Sequence, residues 1–303
     1  MEIIFQSGEF YGEENSWIGD FFITSIGAFL GFCGALILFR YQLSVEKEKS
    51  GKVEKDSIER KLHYFTSLIH KITGASKEQA DHLKTFDNSF SEDPFELPRP
   101  ALVSSLDIRR FSEGLSHEEY YYAYISKFGL TKSTVYGYRR LYSYIDFLNM
   151  AFPQLDEVYK QSVIYHNELK SEYTDLVNES VHMARALVKQ LVNDDKYNSL
   201  TEFLEERLHR NNENAATSSS LLLAQEEWVD AVSEFLKINY KDDETLSDLN
   251  QKLDRITNVF IFKEQANERI KEMFKKSCTK IEEAHQGLLE VSSSLVSTYI
   301  SYQ

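Results

Sequence analysis

The chain has few means of cross-linking or breaking itself, with 2 cysteines and 4 prolines in 303 residues. Cys33 and Cys278 are far apart and form no paired spacing, which excludes a disulfide framework and a thiolate metal centre and fits a reducing compartment. Pro94, Pro98 and Pro100 fall in one stretch, so most of the remaining sequence is free to run as long helices. Sustained period-two alternation is missing, as are Asn-Gly and Asp-Gly turns, and sheets and hairpins are therefore not expected. A phosphate-binding glycine loop, a Gly-x-Ser-x-Gly elbow and a His-Glu-x-x-His run are also missing, which argues against the familiar enzyme classes and against a bound cofactor. Positive charge is in deficit, with 34 Lys and Arg against 48 Asp and Glu and a net charge of −14. Such a surface disfavours a broad grip on nucleic acid or anionic lipid and leaves only local basic pockets.

What the chain does have is an apolar run from Phe21 to Phe39, 19 residues without a charge. As a helix it covers roughly 28 Å, close to the roughly 30 Å hydrocarbon thickness of a bilayer. Met1 to Asp20 holds Glu2, Glu9, Glu13, Glu14 and Asp20 and no Lys or Arg, whereas Arg40 to Lys61 holds Arg40, Lys47, Lys49, Lys52, Lys55, Arg60 and Lys61. That asymmetry predicts one pass with the acidic tail outside and the large C-terminal domain in the cytoplasm. Trp17 and Tyr41 stand where interfacial aromatics anchor such a span. A cleaved signal peptide is the rival reading, but it requires a basic start and small residues before the cut, and Leu38-Phe39-Arg40 closes this run.

The span is two-faced. Asp20, Thr24, Gly27, Gly31 and Gly34 succeed one another at steps of four and three with Ala28 and Ala35 beside them, while Phe21, Phe29, Phe32, Leu36 and Phe39 take other directions. Gly27, Gly31 and Ala35 at four-residue spacing allow close approach of helix backbones. Two readings stay open: an anchor that associates with its own copies, and a pore made by several copies, with Asp20 as an outer acidic ring favouring cations and Thr24 below it.

The expected organisation is an extracytoplasmic tail over 1–16, a transmembrane helix over 17–41, a helical stalk over 42–86, a proline-containing linker over 87–102 and a cytosolic helical domain over 103–303. The fold class is all-α, a single membrane helix followed by a bundle of long helices. Ile58, Leu62, Phe65, Ile69 and Ile72 give the stalk an apolar stripe. Ser116 with Glu119 reads as a capping box for a helix ending near Phe128, and Ser133 as the cap of another helix through Met150. A long helix is expected after Pro153, with Leu155, Tyr159, Ser162, His166, Leu169, Tyr173, Leu176, Ser180, Met183 and Leu187 on its stripe. Shorter helices follow near Ser199–Arg210 and Ser220–Asn239, with Asn211-Asn212-Glu213-Asn214 as the loop between them. A final heptad stripe runs from Leu246 to Leu295, interrupted at Lys263 and Asn267.

Two groups of residues carry candidate chemistry. Ten aromatics lie between Tyr120 and Phe147 among Lys127, Lys132, Arg139 and Arg140. Lys132, Tyr136, Tyr138, Arg139, Arg140 and Tyr142 suit a site that stacks bases and holds phosphates, although core packing accounts for tyrosines equally well. Glu179-x-x-His182, Glu206-x-x-His209 and Glu282-x-x-His285 each put two metal-ligand types on one helix face. The two further inward Glu residues of a di-metal site are not identifiable, so no metal is expected.

The run Gly27-Ala28-Phe29-Leu30-Gly31-Phe32-Cys33-Gly34-Ala35-Leu36, the charged stalk and Lys61-Leu62-His63-Tyr64-Phe65 together resemble single-span transmembrane effectors of bacterial anti-phage systems, including the Hailong type. In that type a small nucleotidyltransferase makes DNA oligomers that hold a membrane channel closed. The resemblance covers the layout and about 45 N-terminal residues. It implies a bacterial inner-membrane channel of several identical subunits, a tetramer or similar ring, controlled by a nucleotide or oligonucleotide ligand and working with a partner protein encoded nearby. The acidic body departs from this picture and confines any such ligand to a local basic pocket. The alternative is a membrane-tethered helical scaffold that collects partners and conducts nothing.

Overall fold

With so few breakers, the helices are long. A computed structural model describes residues 16–217 and 220–299, leaving the side chains of 16–20, 22 and 213–217 outside the description, and no strand occurs among the described residues. The helices are α1 (Ser16–Asp87), α2 (Leu106–Gly114), α3 (His117–Phe128), α4 (Lys132–Leu191), α5 (Asn198–Thr217), α6 (Leu221–Ala224), α7 (Ala231–Asn239) and α8 (Ser247–Tyr299). A π-helical turn over Gln225–Asp230 joins α6 to α7. The chain forms two compact units, Met1–Lys61 and Leu62–Gln303. The second begins inside the range read as stalk, because from Leu62 onward the α1 stripe is buried: Leu62, Phe65, Ile69 and Ile72 are all inaccessible.

In the first unit, α1 holds a stretch long and apolar enough to cross a membrane, with mean hydropathy 1.8 and no part buried. The acidic tail expected over 1–16 lies almost entirely outside the described residues.

In the second unit, α4 and α8 run antiparallel along most of their lengths. Glu179 meets Lys252, Glu172 meets Arg255, and Arg140 meets Glu290. The last part of α1 also runs antiparallel to α8, with Ser76 Oγ 3.2 Å from His285 Nδ1 and Lys84 paired to Glu282. Beside the second half of α4, Tyr197, Leu200, Leu204, Trp228, Val232 and Leu236 close the distal core. A Cβ at Gly287 of α8 would overlap the end of the Tyr144 ring, which would have to shift.

Several local expectations are corrected. α4 does not break near Pro153 but runs unbroken for 60 residues. Pro153 is exposed, so the carbonyl that loses its N–H partner lies on the solvent side, while Phe152 and Leu155 hold the other side in the core. Its N-cap is Thr131, whose hydroxyl accepts from the Thr134 N–H at 3.1 Å, rather than Ser133. Ser116 occupies the N-cap of α3 without a side-chain cap bond. Residues 211–214 are not a loop, because α5 continues to Thr217 and Arg185 donates to Asn212 Oδ1 at 2.8 Å. The α4 stripe leaves the heptad after Ser180 and proceeds through Ala184, Val188 and Leu191, with Met183 and Leu187 only half-buried. A straight helix drifts about 20° per heptad from a strict 3.5 repeat, which moves the buried line to four-residue steps.

Candidate functional site

Three places carry residues whose chemistry exceeds what packing needs. The first is the small-residue face of the span. Gly27, Gly31 and Gly34 are helical, and a Cβ at any of them would meet no atom within 4 Å. Thr24 and Ala35 lie on the same arc of α1, as the three-and-four spacing requires. Asp20 is in the helix, but its side chain lies outside the described residues. Ile23, Phe29, Phe32 and Ile37 elsewhere on this stretch are exposed as well.

The second is the aromatic and basic start of α4, and the structure divides its six candidate residues. Lys132, Tyr136 and Arg139 line a shallow cavity of 380 Å³ with Leu130, Thr131 and Val135. Tyr138 and Tyr142 face inward, into a cluster with Phe65, Phe111 and His117, where Tyr138 donates to the His117 carbonyl at 3.2 Å. Burial pushes the Tyr138 phenol well above its ordinary pKa, so it stays a neutral core hydroxyl. Arg140 turns toward α8, donating to Tyr144 Oη at 2.7 Å and pairing with Glu290 at 3.3 Å. Tyr136 is exposed, and the Arg140 guanidinium lies over its ring at 5.7 Å from the centroid.

The third place was not singled out in the sequence. Where the α8 stripe turns polar, Lys263 and Asn267 are not exposed interruptions: both are buried, Lys263 completely. They meet His166, a polar member of the α4 stripe, and the linker between α1 and α2. Asn267 Nδ2 donates to the Pro94 carbonyl at 2.8 Å, His166 Nε2 donates to the Phe95 carbonyl at 3.1 Å, and Lys263 Nζ donates to the His166 carbonyl at 3.2 Å. A neutral His166 that donates from Nε2 keeps a bare lone pair on Nδ1. His166 Nδ1 and Asn267 Oδ1 are buried without a hydrogen bond of good geometry, although the amide lies close enough to the imidazole to bias its protonation. Burial, reinforced by the Lys263 and Lys170 cations, lowers the His166 pKa to about 4. Burial, reinforced by Lys170 and opposed by Asp93, lowers the Lys263 pKa to about 7. The legible signal was the coincidence of polar residues on two facing stripes, since a buried amine needs a reason to be there.

The Glu-x-x-His pairs do not converge. Glu179 is held by Lys252 at 2.5 Å, Glu206 by Arg210 at 2.5 Å and Glu282 by Lys84, while His285 Nδ1 donates to the Thr73 carbonyl at 3.1 Å. Among the described residues no three His, Cys, Asp or Glu side chains gather as metal ligands do.

No family model, curated protein or solved structure matches this chain.

Proposed function

We propose that the protein is a homo-oligomeric membrane effector, anchored in the bacterial inner membrane with its N-terminus outside and its helical body in the cytoplasm. Copies meet through the small-residue face of the span, and that face becomes the wall of a pore when the body receives its signal. The observation that carries this reading is the open arc at Gly27, Gly31 and Gly34, which a single copy leaves without any contact. The lysines and arginines that follow the span support the orientation. The cavity at Lys132, Tyr136 and Arg139 offers two cations and one exposed ring, chemistry that suits a phosphate and a base of a nucleotide or oligonucleotide. The resemblance to single-span anti-phage effectors supports membrane disruption during infection as the biological outcome.

The reading predicts that Gly31→Leu abolishes membrane permeabilisation while the protein still fractionates with the membrane. Dye release from vesicles or depolarisation of expressing cells measures the effect, and unchanged leakage in the variant would overturn the pore.

A further inference from the structure

The linker after α1 is fastened at its two ends by different chemistry. At the far end the Gln79 amide clips it, donating to the Ala101 carbonyl at 3.3 Å and accepting from the Val103 N–H at 2.8 Å. That clip does not titrate. At the near end the Phe95 ring is inserted beside Tyr173 and Phe260, with centroids 4.5 and 5.9 Å away, and the Asp93 carboxylate accepts the Phe95 N–H at 2.8 Å. Here the carbonyls of Pro94 and Phe95 are held by Asn267 and His166, and the Lys263 amine donates to the carbonyl of His166 itself.

We propose that this seam is a proton-operated latch: near neutral pH it holds Pro94–Phe95 between α4 and α8, and acid releases that end of the linker while the rest of the body stays folded. The charged and titratable groups facing the seam are His166 and Lys170 from α4, Lys263 from α8 and Asp93 from the linker. When His166 is neutral, its single N–H satisfies the Phe95 carbonyl. A second proton on Nδ1 places a cation beside the Lys263 ammonium with only Asp93 in opposition, and two like charges in a dry seam are costly. Undocking the linker admits water and removes the cost.

The sign follows from proton uptake. His166 binds its proton with a pKa of about 4 when docked and near 6.5 when solvated, so the released state takes up protons and is favoured as pH falls from 6.5 toward 4. Lys263, at about 7 docked and 10.5 solvated, adds a penalty that grows as pH falls from 10.5 to 7 and is constant below.

Hydrogen exchange of the full-length protein in nanodiscs, corrected for the intrinsic pH dependence of exchange, tests the latch. Between pH 7.5 and pH 5, exchange in peptides covering 90–100 should rise about tenfold or more, while peptides covering 249–256 of α8 stay protected. His166→Gln keeps an N–H for the Phe95 carbonyl but cannot gain charge, and it should cut the rise to about fourfold, the share that Lys263 alone contributes over this pH range. If that variant does not fold, Lys263→Met provides a second readout: with the resident cation gone the second proton on His166 costs less, so the rise should be smaller than in the wild type, the remainder being what burial of His166 contributes. Flat linker exchange in the wild type overturns the latch, as does opening of the 249–256 peptides in step with the linker. A full rise persisting in whichever of the two variants folds overturns it too.

Discussion

Trp228 is almost wholly buried, and its indole N–H donates to the Ser180 hydroxyl at 2.8 Å. An indole N–H left alone in a dry core costs about 1–3 kcal/mol, so Ser180→Ala should lower stability by that amount in the wild type and by much less when made in a Trp228→Phe background. Thermal unfolding in the two backgrounds decides the matter; equal losses would remove the bond as the reason for Ser180. The same logic explains a class of residues that looked like faults on the helical stripes. Ser180 serves Trp228, His166 serves the Phe95 carbonyl and Asn267 serves the Pro94 carbonyl. Their positions were legible, because each falls on a buried line at three-and-four spacing. Their partners were not, because those come from segments 48 to 173 residues away, beyond the reach of any local pattern.

At the scale of elements, helix type and the linker were legible, while helix ends were not. Pro153 was expected to stop a helix, and the chain runs through it because both flanking turns bury apolar residues against the same core. Local propensity lost to tertiary packing. The cost remains in the helix as a missing hydrogen bond, so Pro153→Ala should raise stability by about 1–3 kcal/mol. A melting temperature unchanged in that variant would mean the helix is bent to suit proline. The Asn-rich stretch at 211–214 repeats the lesson, since the Arg185 contact to Asn212 helps hold α5 past its expected end. By contrast, Pro94, Pro98 and Pro100 stand in the non-helical stretch between α1 and α2, where three prolines so close together cannot all be absorbed by one helix.

At the scale of the whole molecule, the sequence predicts an all-helical chain, and the described residues are helical without strands, with one helix near the N-terminus long and apolar enough to cross a membrane. The proposed pore imposes a count. One helix encloses nothing, so the protein in nanodiscs or mild detergent should have a mass of at least four 35.3 kDa chains, as native mass spectrometry or light scattering would report. A monomer or dimer would leave a tethered scaffold instead. The buried polar positions of α8 bear on assembly in another way. A heptad stripe of some fifty residues offers several near-equivalent alignments against its neighbours, each one step of about 10.5 Å from the next. Slid by one step, Lys263 would take the place of Ile256 or Ile270, and its amine would lose the His166 carbonyl. The residues that weaken the stripe therefore mark which alignment is native, and the folding chain has one register in which all its buried carbonyls at the linker find a donor.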